Sequence, residues 1–184
     1  ILNGAVHLPL ILPPVVTGYL PLLTMGTQGP VGGLLAEMGI VVAFRWTGAA
    51  LAAGIMAFPL MVRAIRLSIE ATDPGLEQAA STLGASPLWV FITVTLPMAL
   101  PGIIAGAILA FAKAMGEFGA TITFVSNIPG QTRTIPSAIY AFLQVPGGED
   151  SAMKLVVVSV VVAMGALLAS EILARRVAAR VGGR

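Results

Sequence analysis

Cysteine is missing from the whole chain of 184 residues, and histidine occurs once, as His7. The first absence excludes a disulfide framework, thiol catalysis and cysteine-based metal sites. The second leaves no histidine cluster for zinc or iron, so no metal site is expected. Charge is scarce too: 10% of the residues are Asp, Glu, Lys or Arg, against roughly a quarter in ordinary soluble proteins. The basic residues are few and scattered, with no basic face and no aromatic stacking platform. That argues against nucleic acid as a partner in spite of the net charge of +2. No G-x-x-x-x-G-K-[ST] loop is present to cradle ATP phosphates. A G-x-S-x-G elbow is also lacking, and a single histidine at the entrance to an apolar run makes no plausible Ser/His/Asp set. Glu149 and Asp150 are neighbours in a turn, placed to cap a helix start and not to share acid–base work. The chain does not read as an enzyme, and no cofactor is expected.

What is abundant is apolar surface. Hydrophobic residues make up 57% of the chain and the mean hydropathy is +0.96. The length allows several spans of about 20 residues each. Four apolar segments stand out, at about 5–25, 46–67, 98–118 and 152–173, which predicts an all-α polytopic membrane bundle. The first contains Pro9, Pro13, Pro14 and Pro21. Proline frees carbonyls that lipid cannot satisfy, so a kinked span packed inside a bundle is expected there. A Gly-rich loop, Gly26 to Gly33, and a short amphipathic piece over 34–40 come next.

Arginine marks the cytoplasmic side of a membrane. Arg63 and Arg66 end the second span, and Arg175, Arg176, Arg180 and Arg184 follow the fourth. On that rule residues 63–96 and a basic tail, 179–184, are cytoplasmic, Trp46 is outside, and residues 119–150 lie outside or re-enter. The chain opens at Ile1 with neither an initiator Met nor a basic stretch before its first apolar run, which is expected of a chain lacking its original start.

Residues 70–97 interrupt the oil. Asp73-Pro74 forms an N-cap and first-turn proline, and Gly84 is the stop signal of a short helix, 74–84. Ser86-Pro87 repeats the start signal for a second short helix, 87–95. Two short helices joined at Gly84 make a knob at the membrane surface, where Ala79, Ala80 and Gly84 allow close approach. It is either a docking element for a soluble partner or an interfacial turn with none.

In the third span Gly102, Gly106, Ala110 and Ala114 form a small-residue stripe for tight helix packing. Lys113 and Glu117 fall on the same arc, one turn apart, and can pair. The pair is either a structural brace or part of a polar pathway in which Lys113 offers positive potential to an anion. Glu117 opens Glu-Phe-Gly-Ala-Thr-Ile-Thr-Phe124, followed by Ser126-Asn127, and Thr121, Thr123, Ser126 and Asn127 suit a pore-lining or re-entrant segment, or an ordinary helix exit. Thr134-Ile-Pro136 starts a further short helix, 136–144.

Gln78-Ala79-Ala80-x-x-x-Gly84, then nine residues, then Val94-Thr-Leu96-Pro97, resembles the E-A-A-x3-G-x9-I-x-L-P signature of permease subunits of binding-protein-dependent ABC importers. The signature glutamate position holds Gln78, with Glu77 just before it, which leaves open which of the two makes the polar contact. His7 to Val16, Phe58 to Arg66, Gly116 to Gly130 and Thr132 to Tyr140 look like the molybdate importer permeases; tungstate and sulfate permeases share much of the pattern.

The resemblance implies a type I ABC transmembrane domain over 1–178, lacking one N-terminal helix. It also implies a homodimer in a bacterial or archaeal cytoplasmic (inner) membrane, two cytoplasmic ATPase subunits and an external oxyanion-binding protein. Residues 74–84 would be the coupling helix, with Glu77, Gln78, Ala79, Ala80 and Gly84 at the ATPase. Translocation would proceed by alternating access, with hydrolysis in the partner. An ion-coupled secondary transporter and a non-transporting scaffold are the readings from other classes.

Overall fold

The computed structural model describes residues 2–182, and every regular element among them is a helix. The first apolar segment is two helices and not one kinked span. α1 covers Leu2–Ile11 and α2 covers Pro14–Met25. Pro13 and Pro14 explain the break: Pro14 has no N–H to continue the ladder, and the Pro13 carbonyl instead accepts from Val16 and Thr17 at the start of α2. With 10 and 12 residues, neither helix reaches the roughly 20 residues that a perpendicular span needs.

α3 is Pro30–Glu37 and α4 is Trp46–Glu70. The surface helix α5 is Pro74–Thr82, and α6 runs without interruption over Pro87–Met115. The expected short helix 87–95 is therefore the first part of the third span. Inside α6, Phe91–Thr95 forms a π turn closed by the Leu96 N–H on the Phe91 carbonyl. Pro97 accounts for it, because its ring would clash with the Thr93 carbonyl in a regular helix and it donates no bond there. α6 stops at Met115, short of the expected 118, where Gly116 and Glu117 form a turn on the carbonyls of Ala112 and Ala114. α7 is Gly119–Val125, α8 is Ile135–Leu143 and α9 is Glu149–Gly182. The expected basic tail 179–184 continues α9 to Gly182, and Gly183 and Arg184 lie outside the described residues.

Among the described residues three helices are long and apolar enough to cross a membrane: Trp46–Glu70, Pro87–Met115 and the Glu149–Leu173 part of α9. The chain divides into two compact units. One comprises the described residues up to Pro59 together with Phe111–Met164. Its core is built from small side chains around one aromatic: Ala43, Ala49, Ala52, Met56, Ala120, Phe124 and Val125. α7 is the buried centre of this unit, with Phe124, Val125, Ala120 and Thr121 all sealed from solvent. Gly18 of α2 makes that approach possible, since a Cβ there would lie 2.4 Å from the Ala120 carbonyl oxygen.

The other unit comprises Leu60–Ala110 and the described residues from Gly165 onward. In it, the small-residue stripe of α6 lies on α4. A Cβ built on Gly106 would come within 2.5 Å of the Ala64 Cβ, and one on Gly102 would collide with Ser68. Glycine here lets two helices meet backbone to backbone, the packing mode that replaces the hydrophobic drive inside lipid.

Candidate functional site

α5 is built to stand at a surface. Asp73 caps its start, its carboxylate accepting from the Gly75 N–H at 2.8 Å, and Pro74 occupies the first turn. Its end is a Schellman motif: the Ala85 N–H bonds the Ala80 carbonyl and the Gly84 N–H bonds that of Ser81. Gly84 carries the left-handed conformation this needs, with φ of 86°. No residue of α5 is buried. Gln78, Ala79, Thr82 and Leu83 are exposed, and Leu83 is 89% accessible, so an apolar tip and a flat alanine face lie open. Ala80 is half-buried beneath them.

Glu77 and Gln78 part company here. The Thr95 hydroxyl of α6 donates to Glu77 Oε1 at 2.5 Å, and Thr95 is buried. Glu77 thus faces its own chain, while Gln78 at the signature glutamate position faces outward. Thr95 carries no signal in the sequence because it occupies the unspecified position between Val94 and Leu96-Pro97. Only the proline two residues later hints that this turn is unusual.

The second cluster begins at Lys113. Its ammonium lies 3.0 Å from Glu117 Oε2, with the Glu117 side chain 2% and the Lys113 side chain 34% accessible. The pair forms as the spacing predicts, but Glu117 sits in the turn after α6 and not on its stripe. The carboxylate also accepts from the Ala120 N–H at 3.0 Å, so it satisfies one of the free donors at the start of α7. Thr121 is buried and its hydroxyl donates to the Phe118 and Glu117 carbonyls; Thr123 donates to the Gly119 carbonyl at 2.8 Å. Neither hydroxyl has its proton left to offer elsewhere.

Beyond α7 the chain turns through Ser126, an exposed residue at φ 64°, ψ −159°, a region that is essentially glycine territory. Residues 127–137 then close into a hydrogen-bonded knot. Asn127 Oδ1 accepts from the Ser137 hydroxyl at 3.1 Å and from Arg133 Nε at 3.2 Å, and Asn127 Nδ2 donates to the Ser137 carbonyl. The Thr132 hydroxyl accepts from the Ile128 N–H, and Thr134 with Ser137 forms a capping box that starts α8. Thr132 and Ser137 are buried and were not singled out from sequence, although Thr134-x-x-Ser137 carries the capping pattern.

Of the residues expected on a pathway, then, Glu117, Thr121, Thr123 and Asn127 are engaged internally. Lys113 and Ser126 keep accessible surface. A groove of about 500 Å³, lined by Met115, Phe118, Pro136, Tyr140 and Ser159 among others but not by Lys113 or Ser126, is apolar and unsuited to an oxyanion.

Among the described residues every regular element is a helix and three of them are apolar and of membrane length, which defines the class: a polytopic membrane protein. The chain belongs to the family described as binding-protein-dependent transport system inner membrane component, which matches residues 1–183. It is 60% identical to the molybdenum transport system permease protein ModB of Escherichia coli (strain K12) over 183 residues, 99% of this chain and 80% of that one. Against the protein of the same name from Haemophilus influenzae (strain ATCC 51907 / DSM 11121 / KW20 / Rd) the identity is 52%, with the same coverage of each chain. Membership sets aside the ion-coupled carrier and the scaffold.

Proposed function

We propose that the chain is the membrane-spanning permease subunit of an ATP-driven molybdate importer in the bacterial cytoplasmic membrane. The relatives that match it along nearly its whole length are molybdenum permeases, and molybdate is the oxyanion form of that element. The observation that carries the importer mechanism is α5: capped at both ends, without a buried residue, and joined to α6 through Glu77. A cleft on a cytoplasmic ATPase receives its Ala79, Thr82 and Leu83 face, and Gln78 makes the polar contact there. Two ATPases serve two copies of the permease, and an external binding protein delivers the anion.

The charge distribution supports this orientation. Arg63, Arg66, α5, Arg175 and Arg176 all belong to one compact unit, and the four arginines are exposed. Such a set belongs at the cytoplasmic face. Along α9, Met153, Val157, Val161 and Leu168 are exposed apolar residues, which need lipid or a second copy against them. In the pathway Lys113 is the cation that attracts the anion, and Glu117 holds it in place while fixing the start of α7.

Uptake of labelled molybdate by cells lacking their own permease tests the reading. Uptake is expected only when this chain, its ATPase and its binding protein are expressed together, and it should cease on ATP depletion. Uptake that persists without the ATPase overturns the mechanism. Uptake of sulfate unaffected by excess molybdate overturns the substrate.

A further inference from the structure

We infer that the hydrogen bond from the Thr95 hydroxyl to the Glu77 carboxylate is the strut through which movement of α5 reaches the membrane-spanning part of α6. The inference rests on the reading that α5 docks an ATPase. Its starting point is how little else ties α5 down. Among the described residues, the other side-chain hydrogen bonds of α5 stay within the helix and its cap: the Gly75 N–H to the Asp73 carboxylate, Ser81 to the Glu77 carbonyl and Thr82 to the Ala79 carbonyl. No α5 residue is fully buried and only Glu77 and Ala80 are half-buried, so its packing against α6 is light. A lever joined to its load through the loops 71–73 and 83–86 and that light contact would swing when pulled. The Glu77–Thr95 bond, made 18 residues apart, removes that slack.

The π turn specifies the α6 end of the strut. Pro97 disfavours regular geometry at Thr93, the Leu96 N–H reaches back five residues to Phe91, and one extra residue enters the turn. That extra residue rotates the facing of all later side chains by about 100° relative to Pro87–Val90. Thr95, the last residue of the turn, is thereby buried with its hydroxyl on Glu77. Glu77 and Thr95 are thus positioning residues. They need touch neither the anion nor the ATPase, and they connect the alanine-glycine half of the signature to its leucine-proline half.

The test uses the complete transporter, reconstituted in liposomes with its ATPase and binding protein, and reads molybdate transported per ATP hydrolysed alongside ATPase retention. Thr95→Val keeps the shape and removes the hydroxyl. It should retain the ATPase and its hydrolysis while transport per ATP falls by about tenfold, the scale on which losing a hydrogen bond to a charged group shifts a two-state equilibrium. Thr95→Ser should restore the ratio. Glu77→Gln, which keeps an acceptor oxygen, should stay near wild type, and Glu77→Ala should behave as Thr95→Val does. The Glu77→Ala, Thr95→Val double variant should be no worse than either single one. A wild-type ratio in Thr95→Val, or in Glu77→Ala should Thr95→Val not insert, overturns the inference; so does failure of Thr95→Ser to rescue. Disulfide formation between Thr82→Cys and a thiol introduced in the ATPase cleft separates the two failures. If the bond forms while the ratio is unchanged, only the strut is wrong; if it never forms in the otherwise wild-type complex, the docking reading is wrong as well.

Discussion

A carboxylate with two tasks governs the site at the scale of single residues. Glu117 pairs with Lys113 and also accepts from the first turn of α7. Removing it by Glu117→Ala leaves a helix start uncapped, a loss of about 0.5–2 kcal/mol, and deprives the lysine of its partner. The amount of folded protein should fall along with transport, as detergent-extracted yield would report. Lys113→Met combined with Glu117→Gln keeps an acceptor for Ala120 and strands no buried charge. That double variant should accumulate near the wild-type level and yet transport poorly; a parallel fall in both would make the lysine structural. Gly84 poses a simpler case. Nothing crowds its Cβ direction, so Gly84→Ala is opposed by backbone conformation alone, about 1–2 kcal/mol for an L residue held left-handed. Limited proteolysis should cut the α5–α6 connection faster in that variant. This much was readable from residue types: the Lys113–Glu117 spacing and the Gly84 stop both predict what is seen. The burial of Thr132 and Ser137, and the strut at Thr95, were not readable, because they depend on chain turns that bring together positions with no fixed spacing.

At the scale of elements the lesson lies in the prolines. Pro13-Pro14 splits an apolar run into α1 and α2, whereas Pro97 and Pro101 sit inside one continuous helix. Hydropathy sees the same signal in both places. The difference lies in where the freed carbonyls go: the π turn around Phe91 absorbs Pro97, and two prolines in succession leave α2 no way to continue upstream. α7 was also hard to foresee, since seven residues are too few for a periodic pattern, and its burial comes from neighbours such as Gly18 and Gly48. The glycine stripe, by contrast, was legible. Gly106→Leu must push α6 away from Ala64, and overpacking of that kind costs about 1–3 kcal/mol. A lower thermal midpoint in detergent is expected, with the same substitution at exposed Gly165 of α9 close to neutral.

For the whole molecule, the absence of cysteine becomes an experimental asset. Any single cysteine is the only thiol in this chain, so its reactivity reports one place. In an ATP-driven importer the arginine-bearing ends of the spans and α5 must share the cytoplasmic face, and the pull on α5 must come from an ATPase. Thr82 is exposed on α5, and its hydroxyl serves only a carbonyl of its own helix. Thr82→Cys should therefore leave the fold intact. The decisive measurement is modification of that cysteine by a membrane-impermeant maleimide, in sealed right-side-out and inside-out vesicles, with and without the ATPase bound. Labelling is expected only in inside-out vesicles, with protection when the ATPase is present. Labelling from the outside would contradict a coupling role for α5 and, with it, the orientation of every span.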